Sequence, residues 1–255
     1  MRVDILPIGD IHLEQGQSLD RIHMLGRFIV AKKPRKIIQM GDWSTWASLS
    51  PWDKGKIHIE GKRYVKDVDM MNQALGLLDV YIKQAQKEEK GYNPSLVFLE
   101  GNHEYWITRL VMDQPTLEGK ISLDDVAFKY YGWKVIPFLE PYTTSGFTFK
   151  HYFTTGLMGR PISGEAPAVA MLRKTHMSCI AGHSHEFHAH EGVNGAGDKL
   201  LNMVVGCYID PRYMGKIHFT HETPRWWSGL VMLYEAQGGY ASFSKYDFDY
   251  IKRKY

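Results

Sequence analysis

The sequence predicts an α/β protein with two β-sheets in one domain and helices outside them. In the first half of the chain, three short apolar runs each end in a polar cluster. Amphipathic helical patterns separate these runs, as in successive βαβ units. The second half is mostly strand-like. No linker-like stretch divides the halves, which predicts a single domain over residues 1–255.

The first half contains three strand patterns and two helical patterns. The strands are the apolar runs at 2–10, 35–42 and 94–104, and the helices cover 18–33 and 65–89. Ser18 is placed to cap the first helix and Pro34 to end it. The second helix has one apolar stripe, made by Met71, Leu75, Leu78 and Ile82. The stretch between the second strand and the second helix is rich in tryptophan and turn residues, which predicts an irregular loop.

The second half predicts mainly strands. Strands and turns are expected at 133–156, a helix at 164–175, and further strands at 178–185, 202–210, 225–236 and 240–249. The two cysteines, Cys179 and Cys207, lie in apolar strand-like runs. Two cysteines are too few for a disulfide framework, so both are expected to be buried, reduced thiols.

Composition and charge are those of an ordinary globular protein. The chain has 255 residues, of which 44% are hydrophobic and 23% charged, and its net charge is +3. This mild charge permits a polyanionic partner but does not point to one. No apolar run reaches the ~20 residues of a membrane helix, and the N-terminus turns acidic too early for a signal peptide. We therefore expect a cytoplasmic protein without a membrane partner, and nothing indicates an obligate protein partner.

Metal-ligating residue types collect at the ends of the strand patterns. They are Asp10, His12, Asp42, Asn102, His103, His151, His183 and His185. Carboxylates, imidazoles and an amide together suit divalent transition metals and are too rich in nitrogen for calcium or magnesium. The set is too large for one tetrahedral site, so two metal ions sharing a carboxylate are expected.

This series of motifs resembles the signature of the calcineurin-like metallophosphoesterases. Asp-x-His, Gly-Asp, Gly-Asn-His-Glu, a lone His and Gly-His-x-His follow one another in the family's order between residues 9 and 185. The resemblance implies a four-layer sandwich of two mixed β-sheets flanked by α-helices. It also implies a hydrolase that cleaves phosphodiesters or phosphomonoesters with a hydroxide bridging two metal ions.

The resemblance also implies a role for each matching residue. One metal ion would be held by Asp10, His12, Asp42 and His185, and the other by Asp42, Asn102, His151 and His183. Asp42, which bridges the ions, and His103, as general acid, would be the catalytic residues. Manganese is the expected metal, with zinc, iron or nickel as alternatives.

Two positions depart from the family's pattern. Thr45 stands where a carboxylate would orient the catalytic histidine, and Trp46 where the protein phosphatases have an arginine. The departures argue against a protein phosphatase and leave Glu104 or another carboxylate to orient His103. The expected partner is a phosphoester substrate, including nucleotides. A nuclease acting on DNA or RNA is the alternative enzyme, and an inactive metal-dependent scaffold that binds a phosphorylated ligand is the alternative outside enzymes.

The remaining histidines and the loop tryptophans have simpler interpretations. His188 and His190 lie beyond the last motif and are not expected to bind metal. Five more histidines match no motif: His23, His58, His176, His218 and His221. Three tryptophans, Trp43, Trp46 and Trp52, follow the second strand, where a hydrophobic cluster is favoured over a stacking platform for a base.

Overall fold

A computed structural model of the chain describes residues 2–214 and 225–255. The helices in this part are α1 (Asp20–Lys32), α2 (Tyr64–Glu88), α3 (Asn102–Asp113), α4 (Pro167–Thr175), α5 (Pro211–Met214) and α6 (Phe248–Lys254). The first seven strands are β1 (Val3–Ile8), β2 (Lys36–Gln39), β3 (Ser95–Leu99), β4 (Lys134–Ile136), β5 (Tyr142–Thr144), β6 (Phe147–Phe149) and β7 (Thr154–Thr155). The others are β8 (Arg160–Pro161), β9 (Cys179–Ala181), β10 (Phe187–Val193), β11 (Lys199–Val205), β12 (Gly229–Gln237) and β13 (Tyr240–Asp247). His218 and His221 lie outside the described residues.

Both large sheets are mixed. The six-stranded sheet has the order β13-β12-β1-β2-β3-β4, in which β1 to β4 are parallel and β12 is antiparallel to both of its neighbours. The five-stranded sheet has the order β10-β11-β9-β6-β5, with β11, β9 and β6 parallel and an antiparallel strand at each edge. Parallel neighbours place their carboxyl ends at the same edge, which is where the predicted site residues follow.

The six-stranded sheet is buried on both faces because its side chains alternate between two cores. In β2, Ile37 packs toward the helices and Ile38 toward the other sheet. The outer core joins this sheet to α1, α2 and α6, and the central core lies between the two sheets. A third core joins α4, through Met171, to the far face of the five-stranded sheet at Cys179.

These layers confirm the predicted fold class, a four-layer sandwich of two mixed β-sheets flanked by α-helices. The predicted stripe of α2 is buried, and both cysteines are buried free thiols. Ser18 Oγ accepts a hydrogen bond from Asp20 N at the start of α1, and the helix ends just before Pro34. The single domain over residues 1–255 stays a prediction, although the two sheets share one core.

Several elements of the described chain were not predicted from the sequence, and three of them matter most for the site and the core. Helix α3 starts directly at Asn102, where only the end of a strand was expected. Strand β10 alternates Phe187 and Ala189, which face the central core, with His188 and His190. Helix α6 follows β13 and buries Phe248 and Ile251, where only the end of a strand was expected. No helix in the described part of the chain is long and apolar enough to cross a membrane.

Candidate metal centre

The predicted site residues of the two sheets meet across one edge of the sandwich. Asp10 follows β1, and His183 follows β9 of the other sheet. The main-chain N–H of His183 donates to Asp10 Oδ1 at 3.0 Å, which ties the two strand ends together. Three groups of side chains at this edge have ligand atoms close enough to hold a metal ion.

The first group comprises Asp10, His12 and His185, all buried. His185 Nε2 lies 3.0 Å from Asp10 Oδ2 and 3.1 Å from His12 Nε2. Three ligand atoms therefore converge on one point, although the residues come from two strand ends in different sheets.

The second group comprises Asp42, His151 and His183. His151 Nε2 lies 3.4 Å from Asp42 Oδ2 and 2.9 Å from Asn102 Oδ1, which brings the predicted amide ligand to the same place. His151 Nδ1 donates to the carbonyl of Met40 at 2.7 Å. A carbonyl only accepts, so Nδ1 carries a proton and Nε2 is the nitrogen that faces the group.

Asp42 lies between these groups. Its Oδ2 is 3.4 Å from His151 Nε2 and 3.8 Å from His12 Nε2, while its Oδ1 accepts the main-chain N–H of His103 at 2.9 Å. The third group consists of Asp42, His12 and His103, and it overlaps the other two. One carboxylate oxygen thus faces ligands on both sides.

The backbone is strained at several predicted ligands. Ten non-glycine residues of the described chain have positive φ, and four of them are His12, Asp42, His183 and His185. Such conformations cost about 1–3 kcal/mol each and persist where the surrounding structure fixes them, often at functional sites. The left-handed turns direct these four side chains off the strand ends toward each other.

Charge at the site is balanced between carboxylate and imidazole. Burial acts to raise the pKa of Asp42, but His151 and His103 hold that pKa well below its usual range. Burial acts to lower the pKa of His151, and Asp42 outweighs it to give a pKa of about 9. Burial, with the neighbouring charge of His151, lowers the pKa of His183 to about 4. The buried carboxylate therefore favours positive charge beside it.

His103 is oriented by a main-chain carbonyl. Its Nδ1 donates to the carbonyl of Thr45 at 2.7 Å, and its Nε2 lies 3.9 Å from Asp42 Oδ2. Its ring packs on Trp106 with the centroids 3.9 Å apart. Burial lowers the pKa of His103, and the charge of Asp42 acts in the opposite direction. Glu104 or another carboxylate was expected to orient His103, but Nδ1 donates to the Thr45 carbonyl instead, and both Glu104 oxygens accept from main-chain N–H donors.

The residues outside the groups also have clear positions. Trp43 and Trp46 are fully buried in the outer core, so the hydrophobic-cluster interpretation is confirmed for these two. Trp52 is 74% exposed. His188 and His190 lie on β10 and belong to none of the three groups.

The architecture around the groups suits a bound cation. A Cβ on Gly101 would lie 2.1 Å from Asp42 Oδ1, and a Cβ on Gly182 would lie 2.6 Å from Asp10 Oδ1. Glycine at these two positions leaves room for the carboxylates. The donor set of imidazole nitrogens and carboxylate oxygens is one that divalent transition metals accept. That each predicted residue binds metal stays a prediction.

Comparison with known proteins gives weak similarities. No protein-family model matches the sequence, and no curated protein matches it. A nuclease from Pseudomonas putida, MPE, matches in structure with a TM-score of 0.40 and 13% identity, over 91% of this chain and 84% of that one. A second solved structure matches with a TM-score of 0.38 and 11% identity, over 97% of this chain and 100% of that one. Similarities of this size do not establish what the chain does.

Proposed function

We propose that this chain is a metal-dependent phosphoesterase of the calcineurin-like kind, which hydrolyses phosphodiester or phosphomonoester bonds. The observation that carries the proposal is the position of Asp42 between two groups of buried ligands. Its Oδ2 lies within 3.8 Å of a histidine nitrogen on either side. One carboxylate between two ligand sets could contribute to both ions of a two-metal site.

The ligands divide between two ions. One ion is assigned to Asp10, His12, Asp42 and His185, and the other to Asp42, Asn102, His151 and His183. Asp42 Oδ1 accepts the main-chain N–H of His103, and Oδ2 is the oxygen that faces histidine nitrogens of both groups, so Asp42 would contribute to holding both ions. Manganese fits this mixture of nitrogen and oxygen donors, with zinc, iron and nickel as alternatives.

The metal ions, when bound, would lower the pKa of a water molecule and neutralise charge on the phosphoryl oxygens. The chain itself provides the acid. His103 is tied at Nδ1 to a carbonyl, so its Nε2 is the nitrogen that faces the site. A proton on Nε2 could be donated to the leaving oxygen, a contribution of about 10²–10⁴-fold. The ring of Trp106 packs against His103 with the centroids 3.9 Å apart and helps to hold the imidazole in this orientation.

Metal-reconstituted hydrolysis of two model substrates tests the proposal. Bis-nitrophenyl phosphate represents diesters and mono-nitrophenyl phosphate represents monoesters. Each is assayed with Mn, Zn, Ni and Mg in turn, and Asp42→Asn is the control. The expected result is hydrolysis that requires a transition metal and is lost in the variant.

Other outcomes would redirect the assignment. Salt-sensitive cleavage of single-stranded or plasmid DNA, in addition to the model diester, would identify a nuclease. If the chain bound two ions but hydrolysed none of the esters, the assignment as an enzyme would be overturned. A scaffold that binds a phosphorylated ligand would then be supported.

A further inference from the structure

Glu104 is a buried carboxylate that the proposed chemistry does not use. It lies in the first turn of α3 and is 1% exposed. It belongs to none of the three groups of metal-ligating atoms. A buried carboxylate is costly unless hydrogen bonds satisfy it, so its partners indicate what it does.

Within the described part of the chain, Glu104 accepts four hydrogen bonds, all from N–H donors. Oε2 accepts from the main-chain N–H groups of Asp42 at 2.8 Å and Gly101 at 2.9 Å. Oε1 accepts from the main-chain N–H of Trp43 at 3.0 Å and from the Trp46 indole at 3.4 Å. One side chain on α3 thus holds the loop that leaves β2 against the start of α3.

The residue held most directly is Asp42. Asp42 has a φ of 53°, a conformation that a non-glycine residue adopts at a cost. Its main-chain N–H is held by Glu104 Oε2, and its Oδ1 is held by the N–H of His103. Because the main-chain N–H and Oδ1 of Asp42 are both held, its Oδ2 is oriented toward the two ligand groups.

We propose that Glu104 is a positioning residue, which holds the main chain of Asp42 so that one carboxylate oxygen faces both ligand groups. The inference rests on the proposed metal site, to which it adds a residue that binds no metal. Residues outside the ligand shell that orient ligands typically change metal affinity or activity by about 10–100-fold when they are replaced.

Glutamine cannot replace this side chain in either orientation. Both oxygens of Glu104 face two N–H donors each, so the NH₂ group of a glutamine would meet donors whichever way the amide turned. Aspartate keeps the carboxyl group but is one methylene shorter. We therefore expect Glu104→Asp to weaken metal binding in part, and Glu104→Gln to weaken it more.

Asp67 offers a matched control. It is also 1% exposed, and it accepts hydrogen bonds from the N–H and the hydroxyl of Ser48, further along the same loop, and from Gln15. It belongs to none of the ligand groups. Asp67→Asn therefore removes a comparable buried carboxylate, in the first turn of α2, that holds the same loop at Ser48 without contacting Asp42.

The test is a manganese titration by calorimetry, together with kcat and KM for bis-nitrophenyl phosphate. Glu104→Gln should weaken binding of at least one ion by about 10–100-fold and lower kcat, while KM at saturating metal changes little. Asp67→Asn should lose thermal stability but keep wild-type metal affinity and kcat. If Glu104 contributed only to stability, both variants would lose thermal stability and both would keep wild-type metal affinity and kcat.

The possible failures are distinguishable. Wild-type chain that binds no metal and cleaves no ester would overturn the proposed function. Wild-type chain that binds two ions, with Glu104→Gln binding them equally tightly and turning over at the same kcat, would overturn the positioning role alone. If Glu104→Gln does not fold, the same titration on Glu104→Asp decides: unchanged metal affinity overturns the inference, and weakened affinity supports it.

Discussion

The Nε2 atoms of His12 and His185 lie 3.1 Å apart, although 173 residues separate them in the sequence. Two imidazole nitrogens bound to one ion at about 2.0–2.1 Å are themselves separated by about 3.0–3.4 Å, depending on the coordination angle. Asp10 Oδ2 lies at a similar distance, 3.0 Å, from His185 Nε2. The chain alone therefore brings two pairs of ligand atoms to the spacing that a shared ion imposes, while the third pair, His12 Nε2 and Asp10 Oδ2, is 3.9 Å apart.

Removing one of these ligands should remove one ion. We expect His185→Ala to bind about one manganese ion per chain where wild type binds two, because the second group of ligands is left intact. Elemental analysis after exhaustive dialysis measures the ratio. His188→Ala, from the adjacent strand, should retain both ions. Two tightly bound ions in His185→Ala would show that this histidine is not a ligand.

Filling the space beside the bridging carboxylate should also inactivate the chain. In Gly101→Ala the new Cβ would lie 2.1 Å from Asp42 Oδ1 and 2.4 Å from its main-chain nitrogen, so Asp42 must move. Displacing a reacting group by about 1 Å costs on the order of 100-fold in rate. A Cβ on Gly195 meets nothing within 4 Å, so Gly195→Ala is the control. Equal kcat in the two variants would contradict the tight fit around Asp42.

The positions of the ligand groups follow from information that is local in the sequence. Asp10 and His183 each follow a strand that could be identified by its apolar run. Parallel strands then place their carboxyl ends at one edge, so residue type and strand position together predict the neighbours. The structure brings the predicted ligands together at this edge.

Residues that act through the main chain could not be predicted in this way. Thr45 orients His103 through its carbonyl, which every residue type possesses. The partners of Glu104 are mainly N–H groups of a loop whose path depends on packing. The sequence shows a glutamate near the start of a helix, but not which N–H groups it faces. Helix α3 was missed for a related reason, because its first residues were interpreted as the end of the preceding strand.

The loop tryptophans should differ sharply in their contribution to stability. Trp43 is fully buried and packs edge-on against Phe128 and Trp133, whereas Trp52 is 74% exposed. Trp43→Ala should lower the free energy of unfolding by about 3–5 kcal/mol. Trp52→Ala should change it by less than about 0.5 kcal/mol. Urea denaturation followed by circular dichroism gives both values, and similar losses would mean that Trp52 is also packed.

His103 should affect substrates according to their leaving groups. Its Nδ1 is held by the carbonyl of Thr45, so Nε2 carries a proton only in the imidazolium form and can then donate it to a leaving oxygen. A nitrophenolate leaves without this proton, whereas an alkoxide needs it. His103→Ala should therefore lower kcat/KM by about 10²–10⁴-fold for an alkyl phosphodiester and far less for a nitrophenyl ester. His190→Ala should change neither. Equal losses on both esters would assign the His103 side chain to binding the phosphate, since alanine keeps the main-chain N–H that Asp42 Oδ1 accepts.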